Sequence, residues 1–218
     1  MLNVPKIKTL ICLLLLSGCF GTSYKPYVEI QSPSHTLLSR DVFFDLSTQF
    51  YRDLPECVII SKPTGTNLGA LEAIIETTFA RHLSQKIPRL IDARERRQKQ
   101  HEQALDLNND TDLRYFMDRQ DCRYVLRSQV KSNYSTYVGF WNDRNIGILL
   151  VLENGVNKDI LWQASHSSNR SEGGIPLSPF SLGVNAFQAS SQRFDTDIEP
   201  SIVDDIVRRM IVTLPDIR

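Results

Sequence analysis

The chain has 218 residues, 41% hydrophobic and 23% charged, which suits one domain with a buried core. Its 25 basic and 25 acidic side chains cancel, which excludes the basic excess typical of nucleic-acid binders. Residues 1–18 hold Lys6, Lys8 and no acid; the remainder, 23 basic against 25 acidic, carries no surplus for a basic membrane-surface patch.

The chain opens with Lys6 and Lys8, an apolar run Thr9–Leu16, and small residues before Cys19. A spanning helix needs about 20 apolar residues. Thr9 through the polar Ser23 makes only 15 positions, and Ser17, Gly18 and Gly21 interrupt them. The order basic, apolar, small is that of a secretory signal. The site Leu16-Ser17-Gly18-Cys19 resembles the lipobox of bacterial lipoproteins at every position. That resemblance implies cleavage before Cys19, a diacylglyceryl group on its sulfur and a third acyl chain on the new amino terminus. With Phe20 rather than an acid following, it implies the outer membrane of a Gram-negative cell. An ordinary signal peptide, or a buried apolar helix with an incidental Cys, is the plainer alternative. The expected division is a signal peptide over 1–18, a lipidated tether over 19–36, and a periplasmic domain over 37–218.

Cys12 leaves with the signal and Cys19 is lipidated, so the mature domain keeps Cys57 and Cys122. In an oxidising compartment these can pair, or they stay as buried thiols. No CxxC spacing is present, so a cysteine-based zinc site is not expected.

Along the domain, Leu38, Val42, Phe43, Leu46 and Phe50 have helical spacing, ended by Pro55. The β-branched run "ECVIIS" between Pro55 and Pro63 predicts a buried strand. "KPTGTNLG" predicts a turn, with Asn67 capping a helix over 67–86 that carries Leu68, Leu71, Ile74, Ile75, Phe79 and Leu83 on one stripe. "PRLIDA" predicts a second strand. "RERRQKQHEQAL" suits a helix that is charged all round, hence solvated or mobile, and "NNDTD" breaks and caps before Leu113, Phe116 and Met117. "CRYVLRSQVKS" alternates and predicts a third strand; "STYVGFW" follows, then a turn at "NDRN". "IGILLVLE" is apolar on both faces, so it is expected in a central position. Asn154-Gly155 predicts a hairpin into "DILWQASHS". Residues 169–197 lack a period and predict a long loop. A closing helix starts at Pro200, buries Ile202, Val203, Ile206, Val207, Met210 and Ile211, and pairs Asp204 with Arg208 and Asp205 with Arg209 outside.

The predicted fold class is α/β: a single α/β sandwich with a mixed sheet, made of a βαβαβ unit, an antiparallel meander and a C-terminal helix. If the first and third parallel strands are neighbours in a 2-1-3 order, Cys57 and Cys122 lie at one end of the sheet, within disulfide reach.

Motifs with chemistry are weak. "KPTGTNLG" lacks the phosphate-loop pattern and is better a strand-to-helix turn. "HEQAL" starts like a zinc HExxH but has Leu105 in place of the second His. His166 with Ser165, Ser167 and Ser168 has no nucleophile elbow, so it is expected as a strand-end polar residue. Trp141 and Trp162, with Tyr134, Tyr137 and Phe140, surround the meander as core or as a partner surface. "GGIPLSPFSLG" places Ile175, Leu177 and Phe180 in a loop able to dock on a partner, meet a membrane or cover the sheet.

The lipobox, "CVIISKPTG" leading into an amphipathic helix, "DILWQASHSSNR" and the terminal "VDDIVRRMIVTLP" together resemble periplasmic α/β lipoproteins related to curli-export and penicillin-binding-protein-activator proteins, whose core is similar to the N-terminal domain of TolB. The resemblance implies a non-enzymatic assembly or accessory subunit of the envelope. Its partner would be an envelope protein or a second copy, with no nucleic acid, no metal and no cofactor beyond the lipid on Cys19. The expected contacts are Tyr137, Phe140, Trp141, Ile175, Leu177 and Phe180. A small-molecule or lipid-binding lipoprotein, using the 169–197 loop as a lid, and a hydrolase centred on His166 are the alternatives.

Overall fold

A computed structural model of the chain describes residues 23–25, 42–138, 141–173 and 198–217. In chain order the elements are β1 (Ser23–Lys25), β2 (Phe43–Leu46), a 3-10 turn (Thr48–Tyr51), β3 (Cys57–Ile60), β4 (Thr64–Gly65), α1 (Leu71–Leu83), β5 (Arg89–Ile91), α2 (Ala93–Gln103), α3 (Asp110–Gln120), β6 (Tyr124–Val138), β7 (Trp141–Asn154), β8 (Ile160–Gly173) and α4 (Ile198–Val212). They build one mixed sheet in the order β1-β8-β7-β6-β3-β5, with β2 also pairing β8 and β4 pairing β6. The fold is the α/β class that the sequence predicts.

β3 is short, and all four of its side chains are buried. A strand walled on both faces needs that composition. It runs parallel to β5 on one side and to β6 on the other, the expected 2-1-3 order. Alternate residues therefore feed two cores. Val58 and Ile60 join Leu126, Ile148, Leu150 and Trp162 beneath α1 and α4. Ile59 and Cys57 face the other way, with Val125, Cys122 and the Leu113, Phe116 and Met117 stripe of α3. The six apolar residues expected on the closing helix are all buried.

The parallel half is stapled at its N-terminal end. Cys57 and Cys122 form a disulfide with Cα atoms 5.2 Å apart, joining the start of β3 to the approach of β6. The turn after β7 has another anchor. Gly155 follows Asn154 as hairpin chemistry suggests, yet the positive φ falls on Lys158. At Gly155 a Cβ would lie 2.3 Å from Met117 Sδ, so a larger residue there would push the buried Met117 side chain aside. Lys158 Nζ reaches Asp110 at the start of α3, 3.1 Å away, and holds that carboxyl below its ordinary pKa.

Several local expectations are corrected. The first predicted helix is β2 followed by the 3-10 turn. The edge of β8 offers Phe43–Leu46 a ladder, and the tight turn capped by Ser47 buries Phe50; Leu38 lies outside the described residues. Asn67 does not cap α1: its φ is +55°, and its carbonyl accepts from Asn133 instead. α1 begins after Ala70 with no side-chain cap. "NDRN" is not a turn but part of β7, where Asp143, Arg144 and Asn145 pair with Thr136, Ser135 and Tyr134. Ladder pairing satisfies that polar backbone, and Arg144 ties to Glu199 of α4. Residues 169–173 extend β8, and Ser23–Lys25, inside the expected tether, pair with Ser167–Asn169. Asp205 pairs with Arg209 as expected, but Asp204 turns to Arg81 (2.5 Å) and His82 (2.6 Å) of α1. A residue of the neighbouring helix outcompetes Arg208, which takes Asp205.

The disulfide closes a 65-residue separation, which in the chain-entropy model stabilises by about 4 kcal/mol. Replacing both cysteines by Ala should lower the urea-unfolding free energy by that order, and reductant should have no further effect on the variant.

Candidate functional site

At the opposite end of β3 from the disulfide, a buried ion pair sets the local architecture. Arg96 on α2 is 3% exposed and Glu76 on α1 is 2% exposed. Arg96 Nη1 donates to the Ile60 carbonyl as β3 ends, and Arg96 Nη2 donates to Glu76 Oε1 at 2.6 Å. The other carboxylate oxygen, Oε2, accepts from Arg97 Nη1 at 2.7 Å. Local sequence positions these groups. Glu76 follows Ile75 and precedes Phe79 on the buried stripe of α1. Asp92 caps α2 by accepting from the Glu95 N–H, which fixes where Arg96 and Arg97 fall.

Next to this pair lies a crevice of about 310 Å³. It opens beyond the C-terminal end of β3 and along β6. The chain leaves β3 toward β5 on one side and returns as β6 on the other. Open α/β sheets form ligand crevices at such switch points. The floor is apolar, made by the buried Ile59, Val125 and Leu113. The rim is basic, with Lys62 and Arg97 exposed and Arg127 half-buried. Lys62 lies 3.4 Å from Glu72, and Arg127 lies 2.7 Å from Glu153. Four lining cations, counting Arg96, thus face three partner carboxylates, because Arg96 and Arg97 share Glu76.

The residues singled out in the sequence fall elsewhere. Cys19, Phe140, Ile175, Leu177 and Phe180 lie outside the described residues. Cys57 and Cys122 are joined at the far end of β3. Tyr137 and Trp141 are near the end of the long β6–β7 hairpin, where Tyr137 stands opposite Asn142 and Trp141 opposite Val138. The aromatic group divides. Trp162 is fully buried and donates to Thr213 Oγ1 at 3.1 Å, whereas Tyr134 is 51% exposed. His166 is not at a strand end. It sits within β8 opposite Ile148, 0% exposed, between the buried Ser165 and Ser167. The core-facing register of β8 places it inside. Among the described residues no group of three or more His, Cys, Asp or Glu could hold a metal.

The basic crevice was missed. α2 has no apolar stripe, so periodicity could not show which of its arginines turns inward. The acid at position 76, inside an apolar stripe, was the available signal.

No family model matches the chain, and no curated protein matches its sequence. Its shape is similar to several solved structures at low identity. The PelC dodecamer from Paraburkholderia phytofirmans is 15% identical over 78% of this chain and 96% of that one, with a TM-score of 0.39. Lipoprotein GNA1162 from Neisseria meningitidis is 14% identical over 64% of this chain and 99% of that one, with a TM-score of 0.42. Protein XCC0632 from Xanthomonas campestris, of family DUF330, is 11% identical over 71% and 83%, with a TM-score of 0.36. No residue role is carried over from them.

Removing Arg96 alone leaves the buried Glu76 with the exposed Arg97 as its partner, so the cost should fall at the lower end, about 3 kcal/mol, of that for breaking a buried pair. Arg96→Met should show a loss of that order in urea unfolding. The double variant Arg96→Met/Glu76→Met should recover most of it.

Proposed function

We propose that the protein is a lipoprotein of the cell envelope, anchored through Cys19 in the outer membrane and facing the periplasm, and that it serves without catalysis as an assembly or accessory subunit. The observation that carries this reading is the β6–β7–β8 arm. β6 has 15 residues and β7 and β8 have 14 each. At about 3.3 Å per residue, β6 is ~50 Å long. Its pairing with β3 and β4 ends at Val130, and its last eight residues run on for ~26 Å paired to β7 and through it to β8. β1 adds a fourth strand at Ser167–Asn169 and Glu199 of α4 holds Arg144, so the tip is Thr136–Val138 with Trp141–Asp143. This extended ladder gives a partner a hydrogen-bonded surface, and Tyr134 on it offers an exposed aromatic anchor. Of the expected contact regions, residues 133–138, 141–145 and 169–173 lie in these strands.

Two further features support the address. The lipobox supplies the anchor, and two or more acyl chains hold a protein to a membrane stably. The Cys57–Cys122 disulfide suits an oxidising compartment. Among the described residues no helix is long and apolar enough to cross a membrane. The sequence resemblance to curli-export and penicillin-binding-protein-activator lipoproteins supports the same role.

Cys19→Ser should move the protein from the membrane fraction to the soluble fraction or leave it unprocessed; unchanged lipid labelling would refute the anchor. A photoreactive residue at Asn133 or Tyr134 in intact cells should give one discrete adduct or a ladder. Monomer alone at both positions would refute the docking role.

A further inference from the structure

We infer that the crevice beside Arg96 is a binding site for a small organic monoanion, with its apolar body on Ile59, Val125 and Leu113 and its charged group among the rim cations. The inference does not depend on the arm or on the lipid anchor. Three observations converge on it.

The first is charge. The four lining cations and their three carboxylates leave one positive charge in excess. Arg96 takes Glu76 Oε1 and Arg97 takes Oε2, so one carboxylate serves two guanidinium groups, and the exposed Arg97 is the cation with most to gain from an incoming anion. Glu72 also lines the crevice and opposes a second negative charge, so a monoanion is preferred over a dianion.

The second is shape and polarity. The crevice has a volume of about 310 Å³. That is the lower end of ligand pockets, which combine an apolar lining with a few placed polar groups. The apolar floor here is buried, so an anion at the rim is partly shielded from bulk water, where its hydrogen bonds to guanidinium gain strength.

The third is preorganisation. The Arg96–Glu76 pair and the Ile60 carbonyl lock α1, α2 and the end of β3 together, so the walls need not be ordered by a ligand. Arg97 is already held by Glu76 at 2.7 Å, which lowers the entropy lost when it takes a ligand.

The test is equilibrium dialysis of the full chain as purified from its expressing cells, in lipid nanodiscs if it fractionates with membrane and in buffer if it does not, against 1-naphthoate, with the protein-free medium as the blank. Saturable binding to one site per chain is expected. Arg97→Gln and Lys62→Gln change exposed side chains, and their melting curves check that they fold. Each should weaken binding by about fivefold to tenfold. Arg208→Gln, on the outer face of α4, should leave binding unchanged. The neutral 1-naphthamide should bind about tenfold more weakly than the acid. No saturable binding, equal binding by Arg97→Gln and wild type, or equal binding of acid and amide would each overturn the inference.

Discussion

Beneath the last residue of β3 an arginine and a glutamate meet with almost no access to water, and much of the parallel half is arranged around them. A buried ion pair is not a strong stabiliser on its own, since desolvation offsets most of the attraction. Its effect is on choice of arrangement. Any packing of α1 against α2 that separates Arg96 from Glu76 strands a charge in the core, and any shift of α2 along the sheet also removes the donor from the Ile60 carbonyl. One register of two helices and a strand end therefore satisfies all three groups. The crevice beside them owes its fixed walls to that requirement.

The sheet joins two halves of different character. The parallel half, β5-β3-β6, is covered on both faces and held at one end by the disulfide and at the other by the ion pair. The antiparallel half, β6-β7-β8, shares β6 with it and runs on past β4. β6 thus serves as a wall of the crevice at Val125 and Arg127 and as a rail of the arm from Ser132 onward. A register shift between Val130 and Ser132 marks the place where one duty gives way to the other.

The core of this fold was legible where period and composition agree. Val58–Ile60, the α1 stripe and the α4 stripe each announce one structure, and the 2-1-3 order placed Cys57 near Cys122. Legibility failed where long-range pairing overrides local preference. Residues 42–46 have helical spacing but took the ladder offered by β8, and "NDRN" has turn composition but lies between two strands. It failed again at the crevice, because the inward turn of Arg96 depends on Glu76, twenty residues earlier on another helix. Pairing of charges across elements leaves no period in either segment.

The disulfide has a topological consequence as well as an energetic one. Between Cys57 and Cys122 the chain makes the rest of β3, β4, α1, β5, α2, α3 and the link from Asp106 to Asn109, where Asp106, Asn108 and Asn109 are exposed. A peptide bond cleaved anywhere in that span leaves two fragments still covalently joined at the sheet. The parallel strands on either side of the cut remain neighbours, and the N-terminal fragment keeps hold of the one that carries the arm. In a compartment exposed to proteases, a nick in the link between α2 and α3 would alter the chain's connectivity without releasing half of the molecule.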